Sequence, residues 1–306
     1  MRRIIIPAVS LLMLILLVAC GGSAPAAAPT AVPVEPTEAP PEPVEEPPLE
    51  PVGEAVELPE LAIVATDYAY SLPDAIDEGW VRVRFDNQGS EPFHVQFLRL
   101  NDGVTFEQFM EALPQGEGPA MALVNLTGGI GALAPAMSAQ AVLDLPAGEY
   151  VLLSLMPSPG EEAPQFVKGM LDTLTVNPNG DAPANEPEAT LTIEMADFTF
   201  DMPDTLDTGE AVIRIVNDGP EPHEWNVLRL VDGATMDDVT NFMHAPDGPP
   251  PFVPVGGLNG LDAGRAGYVE IDFEPGTYIA ICHIPSPAAE GAPHSELGMV
   301  HVFTVN

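Results

Sequence analysis

A long internal repeat restricts this chain more than any other feature. Asp67-Tyr68-Ala69-Tyr70 is matched by Asp197-Phe198-Thr199-Phe200, and Phe97-Leu98-Arg99-Leu100 by Val227-Leu228-Arg229-Leu230. Gly128-Gly129 is matched by Gly256-Gly257, Gly148-Glu149-Tyr150 by Gly276-Thr277-Tyr278, and Thr175-Val176-Asn177 by Thr304-Val305-Asn306. The offset stays between 128 and 130 residues. That period is too long for a stacked solenoid. The chain is therefore expected to build one domain twice, over residues 59–178 and 187–306, with a short Pro/Asn/Asp/Glu stretch between them.

Each copy reads mostly as strand. Val81, Val83 and Phe85 alternate with Arg82 and Arg84; Val269, Ile271 and Phe273 alternate with Glu270 and Asp272. Period two over short runs, broken by Gly, Pro and Asn, predicts an all-β fold of two tandem Greek-key β-sandwiches. One amphipathic helix is expected in each, near Thr105–Leu113 and Thr235–Met243. Thr is the candidate N-cap in both, with acids in the first turn.

The repeat does not begin until residue 59. Arg2 and Arg3 precede an apolar run from Ile4 to Ala19, which reads as a signal peptide over residues 1–20. The run ends in Leu17-Val18-Ala19-Cys20-Gly21, which resembles a bacterial lipobox. That resemblance implies lipidation at Cys20 and an extracytoplasmic protein anchored to the cell membrane or outer membrane. Residues 21–58 are rich in Ala, Pro and Glu with no Lys or Arg, a composition that cannot bury a core and is expected to form a disordered, extended tether.

Charge and cysteine usage narrow the function. With 46 acidic and 9 basic residues the net charge is −37, which argues against nucleic acid as a partner and suits a basic protein partner. The chain has two cysteines, Cys20 and Cys282. If Cys20 carries lipid, Cys282 is a lone thiol in a compartment where disulfides are usual, so it is either an inert buried residue or a ligand.

The second copy contains Gly276-Thr277-Tyr278-Ile279-Ala280-Ile281-Cys282, then His294, then Gly298-Met299. This pattern resembles the C-terminal ligand loop of the cupredoxins, plastocyanin among them, and Asn217 to His223 resembles their segment carrying the first His. The resemblance implies cupredoxin-like sandwiches with one type 1 (blue) copper, held by His223, Cys282, His294 and Met299. Two imidazoles, a thiolate and a weak axial thioether form the ligand set of such a site. Eleven residues lie between Cys282 and His294, more than in most cupredoxins, and the insert is rich in Pro.

The first copy is an internal control. Phe93 stands for His223, Ser154 for Cys282 and Gln165 for His294, while Met170 matches Met299. Three candidate ligands are absent together, so residues 59–178 read as a degenerate, metal-free domain. Taken singly, each candidate has a plainer alternative: Cys282 and Met299 as core, His294 as a surface loop residue, His223 as a solvated strand end. His283 faintly resembles part of the multicopper oxidase motif. However, Ile281 precedes the Cys and the chain has no His-x-His, which argues against a trinuclear centre and against a nitrite reductase site. His94, His244 and His301 read as structural or exposed.

The expected function is a membrane-tethered electron carrier, not an enzyme, with an extracytoplasmic redox protein of basic surface as its partner. The alternatives are a copper-delivery protein with the same ligands, or an interaction module that keeps only the scaffold.

Overall fold

The computed structural model describes residues 58–306 except 116 and 181–185. The signal peptide, Cys20 and all but the last residue of the tether lie outside the described residues. In the first copy the strands are β1 (Glu60–Thr66), β2 (Ala69–Ser71), β3 (Ala75–Asp77), β4 (Gly79–Asn87), β5 (Phe93–Leu100), β6 (Val124–Leu133), β7 (Ser138–Leu145), β8 (Gly148–Leu153) and β9 (Leu171–Asn177). In the second they are β10 (Leu191–Ala196), β11 (Thr199–Asp201), β12 (Thr205–Leu206), β13 (Gly209–Asn217), β14 (His223–Leu230), β15 (Phe252–Leu261), β16 (Ala266–Phe273), β17 (Gly276–Ile281) and β18 (Val300–Val305). The all-β class expected from the alternation is what the structure shows.

Burial follows the alternation closely. Trp225 and Val227 of β14 face inward with Tyr278, Ala280, Phe303 and Val305. The other face of the same strands, Leu228, Leu230, Ile279 and Ile281, is covered by Val239 from helix α3 (Met236–His244). Thr235 caps that helix in a capping box with Asp238, which satisfies two otherwise orphaned backbone donors. In the first copy Leu98, Leu100, Val151 and Leu153 are covered by Phe109 and Ala112 of α1 (Phe106–Ala112), capped by Thr105 and Gln108. A further short helix, α2 (Glu117–Met121), follows it and was not expected from the sequence. Each full burial of a large apolar side chain contributes roughly 1.5–3 kcal/mol.

Tyr150 and Tyr278 close matching corners: each hydroxyl donates to a carbonyl four residues upstream, of Pro146 at 2.7 Å and Glu274 at 2.8 Å.

The two copies share their sheets. One sheet runs β11-β10-β13-β16-β7-β4-β1-β2, and the other β12-β18-β17-β14-β15-β6-β5-β8-β9-β3. The junctions are antiparallel: Leu258 opposes Ile130 in β15–β6, and Val269 opposes Ala141 in β16–β7. Those opposed residues are also equivalents in the repeat, so the junction obeys a local pseudo-twofold, as in an isologous interface. The sequence left open whether the copies pack; the described residues of both copies fall in one compact unit. Polar side chains stitch the junction. Asn259 Nδ2 donates to the carbonyls of Val95 and Ile130, Gln96 Nε2 donates to that of Gly260, and Arg82 pairs with Glu270 at 2.9 Å.

Candidate metal centre

The site is assembled at one end of the second copy. His223 opens β14, and Cys282 directly follows the last residue of β17. These two strands pair through Asn226–Ile281 and Val227–Ala280, which brings His223 and Cys282 to the same end of the sheet. His294 opens a 3-10 turn over His294–Leu297, which Gly298 ends at a φ of 115°, backbone that glycine adopts without strain.

The chain from Cys282 to Met299 is cross-braced by its own backbone. Cys282 N donates to Met299 O at 3.2 Å, Met299 N to His294 O at 2.9 Å and Ser295 N to Cys282 O at 2.8 Å. The intervening insert is folded on itself, with Pro285 and Pro293 opposed in a bridge and Ser286 capping the turn Pro287–Ala289.

The structure brings three of the four expected ligands into one group. Ligand atoms of His223, Cys282 and His294 lie within 4.8 Å of one another. The two Nδ1 atoms are 3.0 Å apart, and Cys282 Sγ is 3.3 Å from His294 Nδ1. Met299 is fully buried in the same core cluster as Cys282 and is held to Cys282 and His294 by the braces above. His223, Cys282, His294 and Met299 are each 0% exposed, so the plainer alternatives of a surface loop His and a solvated strand end do not describe His294 and His223.

The donors fit a metal ion. His223 Nε2 is 2.6 Å from Asp197 Oδ1, and His294 Nε2 is 3.1 Å from Glu221 Oε2. Each carboxylate suits an Nε2–H donor, and in the neutral imidazole that tautomer leaves Nδ1 with a lone pair. Two lone pairs facing at 3.0 Å repel unless a cation lies between them. Two imidazole nitrogens on one ion, each about 2.0–2.1 Å from it, are separated by roughly this distance. Burial pulls the His223 imidazole below its ordinary value, against the pull of Asp197, and so disfavours a proton in place of the metal. Burial, with the Glu224 carboxylate nearby, pushes the Cys282 thiol far above its ordinary range. A thiol so placed ionises only beside a strong positive charge.

Asp197 and Glu221, which back the two imidazoles, were not singled out by the sequence, although both lie in segments that were: Asp197 in the repeated Asp-aromatic motif, Glu221 two residues before His223. Gly219 makes room for the first contact, since a Cβ there would fall 2.7 Å from His223 Nε2 and 2.8 Å from Asp197 Oδ1. Glu224 is buried, accepts from the His283 backbone N–H at 2.7 Å, and is pushed by burial up to about 7. His283 itself is exposed and lies outside the group of ligand atoms. His244 bonds to Thr240 O in the last turn of α3, and His94 Nε2 accepts from Leu155 N.

The first copy keeps the frame and lacks the donors. Ser154 N donates to Met170 O, Met170 N to Gln165 O and Phe166 N to Ser154 O, the same three braces. Inside them Ser154 Oγ donates to Gln165 Oε1 at 2.7 Å, Gln165 Nε2 donates to Pro92 O, and Phe93 fills the place of His223. Every polar group in that pocket is paired without an ion.

No family model matches the sequence, and no curated protein does. Among solved structures the chain is similar to a multicopper oxidase at 19% identity, covering 81% of this chain and 89% of that one with a TM-score of 0.25. It is similar to a reduced auracyanin from Roseiflexus castenholzii at 20% identity, covering 39% and 97% with a TM-score of 0.27. It is also similar to auracyanin A from Chloroflexus aurantiacus, a blue copper protein, at 16% identity, covering 39% and 99% with a TM-score of 0.26. The chain itself supplies a buried His223–Cys282–His294 group that could hold one copper ion.

Proposed function

We propose that this chain is an extracytoplasmic copper protein, tethered to a membrane through Cys20, that carries electrons through one type 1 copper held by His223, Cys282, His294 and Met299. The observation that carries this reading is the contrast between two copies with one backbone frame. In one, two imidazole nitrogens and a sulfur converge among fully buried side chains; in the other, Phe93 fills the place of one imidazole, Ser154 donates to Gln165, and Gln165 donates to Pro92 O.

Copper, when bound, supplies one-electron exchange between Cu(I) and Cu(II). The residues supply the rest. A soft sulfur with two imidazoles suits both oxidation states. The braces from Cys282 to Met299 keep the donors in place without the metal, so a change of state asks for little rearrangement. Full burial of the four residues excludes water. It also favours an electron carrier over an enzyme that must admit substrate, and over a delivery protein that must release its metal. The acidic surface suits a basic redox partner, and the metal-free copy would serve as scaffold or docking surface.

The test is to load the full-length chain with Cu(II) and record its visible and electron paramagnetic resonance spectra. One copper per chain, an intense thiolate-to-copper band and a narrow copper hyperfine splitting are expected, all lost in Cys282→Ser. An ordinary copper signal, or a blue Cys282→Ser protein, overturns the reading. Anchoring is tested separately: Cys20→Ala is expected to move the protein from the membrane fraction to the soluble one.

A further inference from the structure

Glu221 touches three parts of the centre at once. Oε2 meets His294 Nε2 at 3.1 Å, Oε1 accepts from Ser286 Oγ at 3.1 Å, and its backbone carbonyl accepts from Asn217 Nδ2 at 2.9 Å. Ser286 is the hub of the long insert: it is fully buried, its N–H donates to Ala292 O, and its carbonyl accepts from Gly291 N. The carboxylate, with 17% of the side chain exposed, thus joins a candidate ligand to the insert, while the backbone carbonyl of the same residue ties it to Asn217 at the end of β13.

The first copy separates these contacts. Glu91 accepts from Ser158 Oγ at 3.2 Å, and its carbonyl accepts from Asn87 Nδ2 at 3.0 Å. Gln165 turns instead to Ser154 and to Pro92 O. The carboxylate-to-loop contact therefore belongs to the frame, and only the second copy adds the contact to a donor.

We propose that Glu221 is a positioning residue with two separable effects: it latches the insert closed over the metal, and it lowers the reduction potential through His294. The inference rests on the copper reading above. A carboxylate accepting from imidazole N–H makes the opposite nitrogen a stronger donor. Its negative charge also favours the more positive Cu(II), and a state stabilised in this way is harder to reduce. Through Ser286 the same carboxylate holds shut the loop that would have to open for the metal to leave.

The experiment uses the full-length, copper-loaded chain and measures the reduction potential and the rate of copper loss to a chelator. Removing such a partner typically costs about 10–100-fold in metal affinity. If Glu221→Gln weakens Cu(II) tenfold relative to Cu(I), the potential rises by about 59 mV. Copper loss is expected to quicken about tenfold or more. Ser286→Ala leaves His294 and Glu221 in contact, so it is expected to quicken copper loss and leave the potential unchanged; it also keeps the test open if Glu221→Gln does not fold. Glu91→Gln, the same change beside the metal-free pocket, is expected to alter neither. A blue wild type whose potential does not move in Glu221→Gln, or whose copper loss does not quicken in Ser286→Ala, overturns this inference alone. A wild type that binds no blue copper overturns the copper reading itself.

Discussion

His223 and His294, 71 residues apart in the chain, hold their Nδ1 atoms 3.0 Å from each other, each backed on the far side of its ring by a carboxylate. The first comes with strand β14 and the second with a braced loop, and only the packing of the sandwich brings them together.

The braced loop should fold without metal and without its histidine. Gln165 already occupies the equivalent position in the first copy, inside the same backbone hydrogen bonds. His294→Gln is expected to leave the metal-free protein within about 1 kcal/mol of the wild type while losing tight copper binding. Denaturant melts of the metal-free proteins and a count of bound copper check both halves; a variant that fails to fold means the imidazole itself supports the loop.

Gly219 should tolerate no side chain. Its added Cβ would overlap both His223 Nε2 and Asp197 Oδ1. Gly219→Ala is expected to cost about 1–3 kcal/mol through overpacking and to weaken copper binding, because the His223–Asp197 contact must yield. Gly118→Ala is the control, with nothing within 4 Å of its added Cβ. Equal melting midpoints for the two variants would contradict the crowding.

The two copies should unfold together. Their sheets are continuous through β6–β15 and β7–β16, and Asn259 spends both its donors on carbonyls of the first copy. Each copy holds one of the chain's two tryptophans, Trp80 and Trp225, so single-tryptophan variants report the copies separately. Coincident denaturation midpoints are expected. Asn259→Ala, which removes two hydrogen bonds to buried carbonyls, is expected to lower both by an amount worth about 1–3 kcal/mol. Two well-separated transitions would show that the copies behave as independent domains.

The contacts of Glu186 with Tyr268 and Arg214 should weaken in acid. Glu186 accepts from the Tyr268 hydroxyl at 2.5 Å and pairs with Arg214 at 3.2 Å. The Tyr268 hydrogen bond, with Arg214 helping, holds its carboxyl below the ordinary value despite some desolvation. A folded value below the unfolded one means that the clamp stabilises above the unfolded carboxylate range, and that this is lost as pH falls through the folded value. The side chain is 48% exposed, so the contribution is below about 1 kcal/mol. Stability of the wild type is expected to fall slightly more steeply than that of Glu186→Gln as pH drops from 6 to 3. Parallel curves would remove Glu186 from the account.

The sequence by itself determined the all-β class, the two capped helices α1 and α3 and the candidate donors. Alternation at Val81-Arg82-Val83-Arg84-Phe85 and the Thr105 and Thr235 caps are local signals, decided by side-chain direction and backbone hydrogen bonding within a few residues. Comparing the copies picked out His223, Cys282 and His294 together, since three donor residues present in one copy are absent from the other. The tertiary structure decided what depends on distance through space. Asp197 and Glu221 could not be told from the other acids of a strongly acidic chain, because a carboxylate becomes a partner only when folding places it against a buried imidazole. The joining of the two copies was equally hidden. A strand edge looks the same in sequence whether it meets water or another strand, and only the register of Leu258 on Ile130 and Val269 on Ala141 made two repeats into one body.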